Sequence, residues 1–185
     1  MSLYTGKGDN GTTKTFGCDQ RISKSSAIAE ALGAMDEINS FLGLLKVKSK
    51  GLENFVILGK TYDVITHEIQ KNLFIIQAEL AGAQKTIEEV KLRECEAYVN
   101  EAERILPPIT TFFISGGTEI AALSDISRTM ARRAERRVVQ VHDEGIRVLG
   151  AWTLAYMNRL SSLLYVMARL ANHYGGISEE APDYK

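Results

Sequence analysis

The sequence predicts an all-α protein, five helices packed as an antiparallel bundle. Three observations lead there. Only 3 prolines occur in 185 residues, so few positions forbid a helix. Long segments rich in helix formers repeat their apolar residues at the spacing of a helix face. The links between them are short, which favours antiparallel neighbours. One domain is expected, with a lead-in loop over 1–23, a bundle over 24–175 and a polar tail over 176–185.

The elements follow in order. The lead-in carries glycines at 6, 8, 11 and 17 and reads as a structured loop. Apolar periodicity from Ser25 to Val47 gives the first helix, and glycines at 51 and 59 break the chain over 48–60. A second helix spans Tyr62 to Ala81, and a third runs from Glu88 to Arg104, closed by Pro107 and Pro108. TTFFISGGTE, 110–119, is an apolar connector ending in a glycine pair. Two long helices follow, Thr118–Asp143 and Arg147–Tyr174, with Gly145 between them. The tail GGISEEAPDYK is polar and is expected to fray.

Composition narrows the function classes. The 22 Lys+Arg nearly balance the 23 Asp+Glu, which argues against a nucleic-acid partner. Cys18 and Cys95 lack metal-ligand spacing and suit a reducing compartment. The N-terminus has no secretory pattern, and no apolar run approaches the ~20 residues of a membrane span. A soluble cytoplasmic protein, with no membrane partner, is the expectation.

Against that neutrality, ISRTMARRAERRVV, 126–139, holds 5 arginines. On a helical wheel Ile126, Met130, Ala134, Val138 and Val141 form the apolar stripe, with Arg128, Arg132 and Arg136 opposite and Arg133 and Arg137 at its edge. A solvated face with ion pairs through Asp125 and Glu135 is one reading. A focused site for a small polyanion such as a nucleoside triphosphate is another, since guanidinium forks on adjacent turns suit phosphate oxygens. The helix alone does not choose.

The first helix has two faces. Ile28, Leu32, Met35, Leu42 and Leu45 make one, while Ala29, Gly33, Asp36, Ser40 and Gly43 gather small residues around a carboxylate. Glycines within a helix suggest close packing there. Asp36 either points to water or pairs with an arginine such as Arg128, within or between subunits. Two faces to bury favour an oligomer.

YTGKGDNGTTKTFG, 4–17, interleaves glycine with Lys, Asp and Thr. Such a loop lets backbone N–H groups approach phosphates, though it lacks the P-loop order. TGKGDNGTT, GAMDEINSFLG, ISGGTE with SRTMARRAERRVV, and MNRLSSLLYVMAR together resemble the PduO-type cobalamin adenosyltransferases, in order from residue 4 to 172. The resemblance implies a ferritin-like five-helix bundle assembled as a trimer, with active sites between subunits. It implies transfer of the 5′-deoxyadenosyl group of ATP to cob(I)alamin, with release of inorganic triphosphate and assistance from Mg2+.

Carried over residue by residue, Thr5, Gly6, Gly8, Asp9, Gly11 and Thr12 match the ATP loop, and Lys24 a lysine near the phosphates. Asp36 and Arg128 match a pair bridging subunits, and Arg132 an ATP-contacting arginine. Glu135 and Asn158 match nucleotide-site positions, and Phe112 the aromatic closing the lower axial face of the corrinoid. Ile28 departs from the family, where arginine is common, and Ser115 replaces a frequent proline. No metal ligand is assigned. A cobalamin reductase and an adenosylcobalamin-dependent enzyme are the partner classes such a reaction admits. The rival reading is a non-catalytic ATP- or corrinoid-binding scaffold or chaperone, which needs no glycine loop. A ferritin-like metal bundle is disfavoured because no Glu-x-x-His pair is present.

Overall fold

The computed structural model describes residues 4–15 and 20–184. Cys18, with residues 16–19 of the lead-in loop, lies outside the described residues. Five helices form as the periodicity predicts: α1 Ala27–Ser49, α2 Tyr62–Ala81, α3 Glu89–Ile105, α4 Glu119–Asp143 and α5 Ala151–Tyr174. Two short antiparallel hairpins were not legible as strands, β1 Thr12–Thr13 with β2 Ile22–Ser23, and β3 Val56–Ile57 with β4 Lys60–Thr61. In the second, Leu58 and Gly59 both take positive φ, which suits a tight two-residue turn.

In space α1 packs against α2 and α4, α4 against α5, and α5 against α3. Consecutive helices run antiparallel. Across the core, α2 meets α5 where Tyr62 donates to the Met167 carbonyl and Asn72 donates to the Tyr156 hydroxyl. α3 and α5 run parallel, because an odd number of alternating helices leaves one pair of neighbours pointing the same way. Ile87 N–H meets Thr153 near the start of both, and Pro107 meets Arg169 near the end. The 106–118 segment must therefore travel from α3 past α5 to reach α4, and this crossing roofs the functional groove.

Fully buried Met35, Ile38, Leu42, Leu73, Ile76, Leu160 and Leu164 fill the centre. Each such side chain contributes roughly 1.5–3 kcal/mol relative to exposure. Amides also lock α1 to α2, where Gln70 donates to the Asn39 carbonyl and Asn39 to that of Gln70.

Three expectations are corrected here. The buried stripe of α4 is Ile120, Ala121, Ser124, Ser127, Ala131, Ala134, Val138 and Val141, whereas Ile126 is 47% exposed. Ser124 and Ser127 donate to carbonyls one turn back, at Ile120 and Leu123, so their hydroxyls can be buried. α5 starts at Ala151 rather than Arg147. Buried Glu79 of α2 fixes that start by accepting from the Gly150 N–H (2.7 Å) and the Thr153 hydroxyl (2.6 Å), a carboxylate at the positive end of the helix. The tail does not fray, since Glu180 accepts a backbone bond from Ile114 and Glu179 pairs with Arg169.

Candidate functional site

The N-terminal loop is folded onto the start of α1 by its hairpin. Asp9 N–H donates to the Gly6 carbonyl, Gly11 N–H to that of Gly8, and Lys24 N–H to that of Gly11. Gly6 and Gly11 take φ of 67° and 77°, a region that favours glycine. A Cβ on Gly8 would sit 3.2 Å from the Lys24 ammonium, so the missing side chain lets that charge lie against the loop. Arg21 holds the far side, donating from Nε to the Thr12 hydroxyl (2.7 Å) and from a terminal nitrogen to the Thr12 carbonyl (2.8 Å). The Thr12 hydroxyl in turn donates to Asn10. Thr5 caps the turn by accepting from the Lys7 N–H.

A groove of about 1000 Å³ opens between α4, α5, the 109–115 connector and the tail. Arg128 and Arg132 line it from α4, and Phe112, which is 79% exposed, lines it from the connector. Arg128 pairs with Asp125 at 2.9 Å and lies over the Tyr165 ring at 5.6 Å. Burial holds the Tyr165 phenol above its ordinary pKa, so it stays neutral near pH 7. Arg132 is exposed and has no hydrogen bond or ion pair among the described residues. Its fork is available to an anion.

The Gly116–Gly117 pair ends the connector. Asn172 of α5 accepts from the Thr118 N–H (2.9 Å) and donates to the Gly116 carbonyl (2.8 Å). A Cβ on Gly117, whose φ is 96°, would collide with the Asn172 amide. The Thr118 hydroxyl then caps α4 by accepting from Ala121.

The structure thus brings Phe112, Arg128 and Arg132 to one groove, and gathers Thr5, Gly6, Gly8, Asp9, Gly11, Thr12 and Lys24 in a second cluster. Glu135 and Asn158 are joined by a 3.1 Å hydrogen bond between α4 and α5. Asp36 is exposed, without an ion pair or hydrogen bond among the described residues. A pairing of Asp36 with Arg128 inside one chain is therefore ruled out, because Arg128 turns to Asp125. Gly33, expected to be tightly packed, faces open space, while a Cβ on Gly43 would lie 3.6 Å from the Gln70 amide, an ordinary contact. Ile28 is buried in the core. No described residue of the loop lines the groove.

Sequence reasoning missed Arg21, Tyr165, Arg169 and Asn172 as organisers of these clusters, and read Asp125 only as an ion-pair partner on a solvated face. The i, i+3 spacing of Asp125 and Arg128 was the readable signal for their pairing. For magnesium, no group of three His, Cys, Asp or Glu among the described residues forms a ready cage. A magnesium ion bound through phosphates needs only one or two carboxylates and keeps its waters. Exposed Asp9, its carboxylate beside Gly6, meets that smaller requirement.

Comparison with known proteins identifies the family. The profile of the cobalamin adenosyltransferase family matches residues 3–171. The corrinoid adenosyltransferase PduO of Citrobacter freundii is 35% identical over 94% of this chain. The chain spans 50% of that relative's length. The corrinoid adenosyltransferase of Bacillus subtilis is 36% identical, covering 97% of this chain and 91% of its own. A variant of the PduO-type ATP:corrinoid adenosyltransferase from Lactobacillus reuteri, complexed with cobalamin and ATP, superposes with a TM-score of 0.85 at 27% identity, covering 98% of this chain and 99% of that one.

Proposed function

The chain belongs to the cobalamin adenosyltransferase family, and from that premise we propose that it transfers the 5′-deoxyadenosyl group of ATP to cob(I)alamin, forming adenosylcobalamin and inorganic triphosphate. The observation that carries this reading is the groove where Arg132, which has no ion pair among the described residues, and an exposed phenylalanine, Phe112, face the same space. A cation for phosphate and an apolar wall for a flat macrocycle are the two recognition elements the reaction needs.

Cobalt(I) supplies the electron pair that forms the bond to the ribose 5′ carbon. The bond from that carbon to the 5′ oxygen breaks, and its pair leaves with triphosphate. No general base is required, because the nucleophile carries no proton. The protein orients the two substrates and stabilises the charge on the leaving group. Arg132 and Lys24 supply cations, and the loop from Thr5 to Thr12 cradles the phosphates. Magnesium bound to the nucleotide, with Asp9 as its protein ligand, would neutralise further phosphate charge. Phe112 keeps an apolar side against cobalt, excluding water as a lower axial ligand.

Among the described residues, none of the loop lines the groove of the same chain. We place the loop of one copy against the groove of the next, in a homotrimer whose Asp36 meets the neighbouring copy's arginine helix. Exposed Gly33, Asp36 and Ser40 on α1 are the face available for that contact. Among the described residues no helix is long and apolar enough to cross a membrane, and the free thiol of Cys95 suits a reducing cytoplasm. A reductase would supply cobalt(I), and an adenosylcobalamin-dependent enzyme would take the product.

The test is direct. Purified protein with ATP and chemically reduced cob(I)alamin should yield adenosylcobalamin and an equal amount of triphosphate. Binding of both ligands without either product would favour the scaffold reading instead.

A further inference from the structure

We infer that the buried ion pair between Arg169 of α5 and Glu179 of the tail is a positioning device for Phe112, clamping the connector that carries it. The inference rests on the functional reading above and extends it to residues outside the groove's reacting side.

Arg169 is 4% exposed, and two of its three guanidinium nitrogens are engaged. Nε donates to Glu179 Oε1 at 2.7 Å and a terminal nitrogen to Oε2 at 2.8 Å. That same terminal nitrogen donates to the Pro107 carbonyl at 3.0 Å. The guanidinium plane lies over the Phe113 ring at 5.3 Å. Glu179 raises the pKa of Arg169 further, so the charge is permanent. The tail reaches the connector a second time, where Ile114 N–H donates to the Glu180 carbonyl at 2.8 Å.

These contacts bracket Phe112. Pro107 lies on one side and Phe113 and Ile114 on the other, each held by Arg169 or the tail. Phe112 itself projects, 79% exposed, into the groove that Glu179 and Tyr184 also line. A bidentate pair fixes the position of the guanidinium, and the Phe113 ring packs against that fixed cation. Buried ion pairs add little net stability compared with apolar packing, so the geometry they impose is the effect to seek. An anchor for the tail alone would need neither the Pro107 bond nor the stack on Phe113.

The experiment uses the full chain with Glu179→Ala, Arg169→Lys, Phe112→Ala and the Glu179→Ala/Phe112→Ala pair. Hydrogen exchange reads the clamp without any substrate. In Glu179→Ala, exchange in peptides covering 107–115 should rise about tenfold while bundle peptides stay unchanged. Unchanged exchange in the connector overturns the clamp. Kinetics read the link to Phe112. Glu179→Ala should raise the corrinoid KM about tenfold and leave the ATP KM within about twofold. Arg169→Lys should do the same, since an ammonium keeps the charge but loses the fork and the stack. Added to Phe112→Ala, the tail substitution should cost less than about twofold more. Losses that multiply with Phe112→Ala, or that strike ATP and corrinoid equally, overturn the positioning role. A wild-type protein with no turnover overturns the functional reading and the catalytic part of this inference, while exchange still decides the clamp.

Discussion

Arg128 and Asp125 form a 2.9 Å ion pair on adjacent turns of α4, with both side chains largely shielded from water. This pairing changes the consequence of losing Asp36. Were Asp36 the sole partner of a buried guanidinium, its removal would cost roughly 3–5 kcal/mol. With Asp125 in place and Asp36 exposed, Asp36→Ala should alter the unfolding free energy of the single chain by less than about 0.5 kcal/mol. Its effect should appear in assembly, with variant subunits separating in sedimentation at concentrations where the wild type stays associated. Wild-type assembly and turnover in Asp36→Ala would remove the residue from the interface.

Arg132 stands one turn beyond Arg128 and, among the described residues, has no partner to release before binding an anion. Arg132→Ala should lower kcat by roughly 30- to 1000-fold, the loss of about 2–4 kcal/mol of charge-assisted stabilisation in the transition state. Arg132→Lys should recover part of that loss, because a point charge replaces a fork. Steady-state kinetics at saturating ATP checks both.

Phe112 is too exposed to be core packing, so its removal should leave the fold intact. Phe112→Ala should fail mainly in assays that start from cobalt(II), where water on the open axial side hinders reduction. Supplying cob(I)alamin with a strong chemical reductant should restore much of the rate. Equal losses in both assays would mean that the ring has no axial-ligand role.

The N-terminal loop joins the bundle through a hairpin of two residue pairs, Thr12 with Ser23 and Thr13 with Ile22. A chain lacking residues 1–12 should keep its helical circular dichroism and lose most ATP affinity in calorimetry. Undiminished affinity would place the phosphates elsewhere.

A pH effect follows from Glu68, which accepts from Lys60 (2.7 Å) and Tyr98 (2.9 Å). Burial opposes its ionisation, yet the bonds from Lys60 and Tyr98 hold its pKa below the ordinary 4.5. A depressed carboxylate adds stability that is present above the unfolded value and lost as pH falls through the folded one. The stability gap between wild type and Glu68→Gln should therefore be constant near neutrality and shrink below about pH 4.5. A gap that persists undiminished into stronger acid would show that the charge on Glu68 contributes nothing. Denaturant titrations at stepped pH measure it.

Helix number, order and most boundaries were legible in the sequence, because burying one face of a helix imposes a period that the apolar residues repeat. The glycine loop and the arginine helix were legible as candidates for phosphate binding for a similar local reason, since backbone access and forked cations are properties of short segments, but the helix by itself left a solvated face equally open. The phase of α4 was not legible, since Ser124 and Ser127 are polar by type yet satisfied by their own helix once buried. Whether Arg128 faces Asp125 or Asp36, which residue caps α5, and where the tail lies were decided only by tertiary structure. Each depends on groups far apart in the chain, such as Glu79 with Gly150, and no local pattern encodes that distance. The parallel α3 and α5 belong to the same class. Packing five alternating helices sends the 106–118 crossing over α5, and that route sets Phe112 at the mouth of the arginine groove.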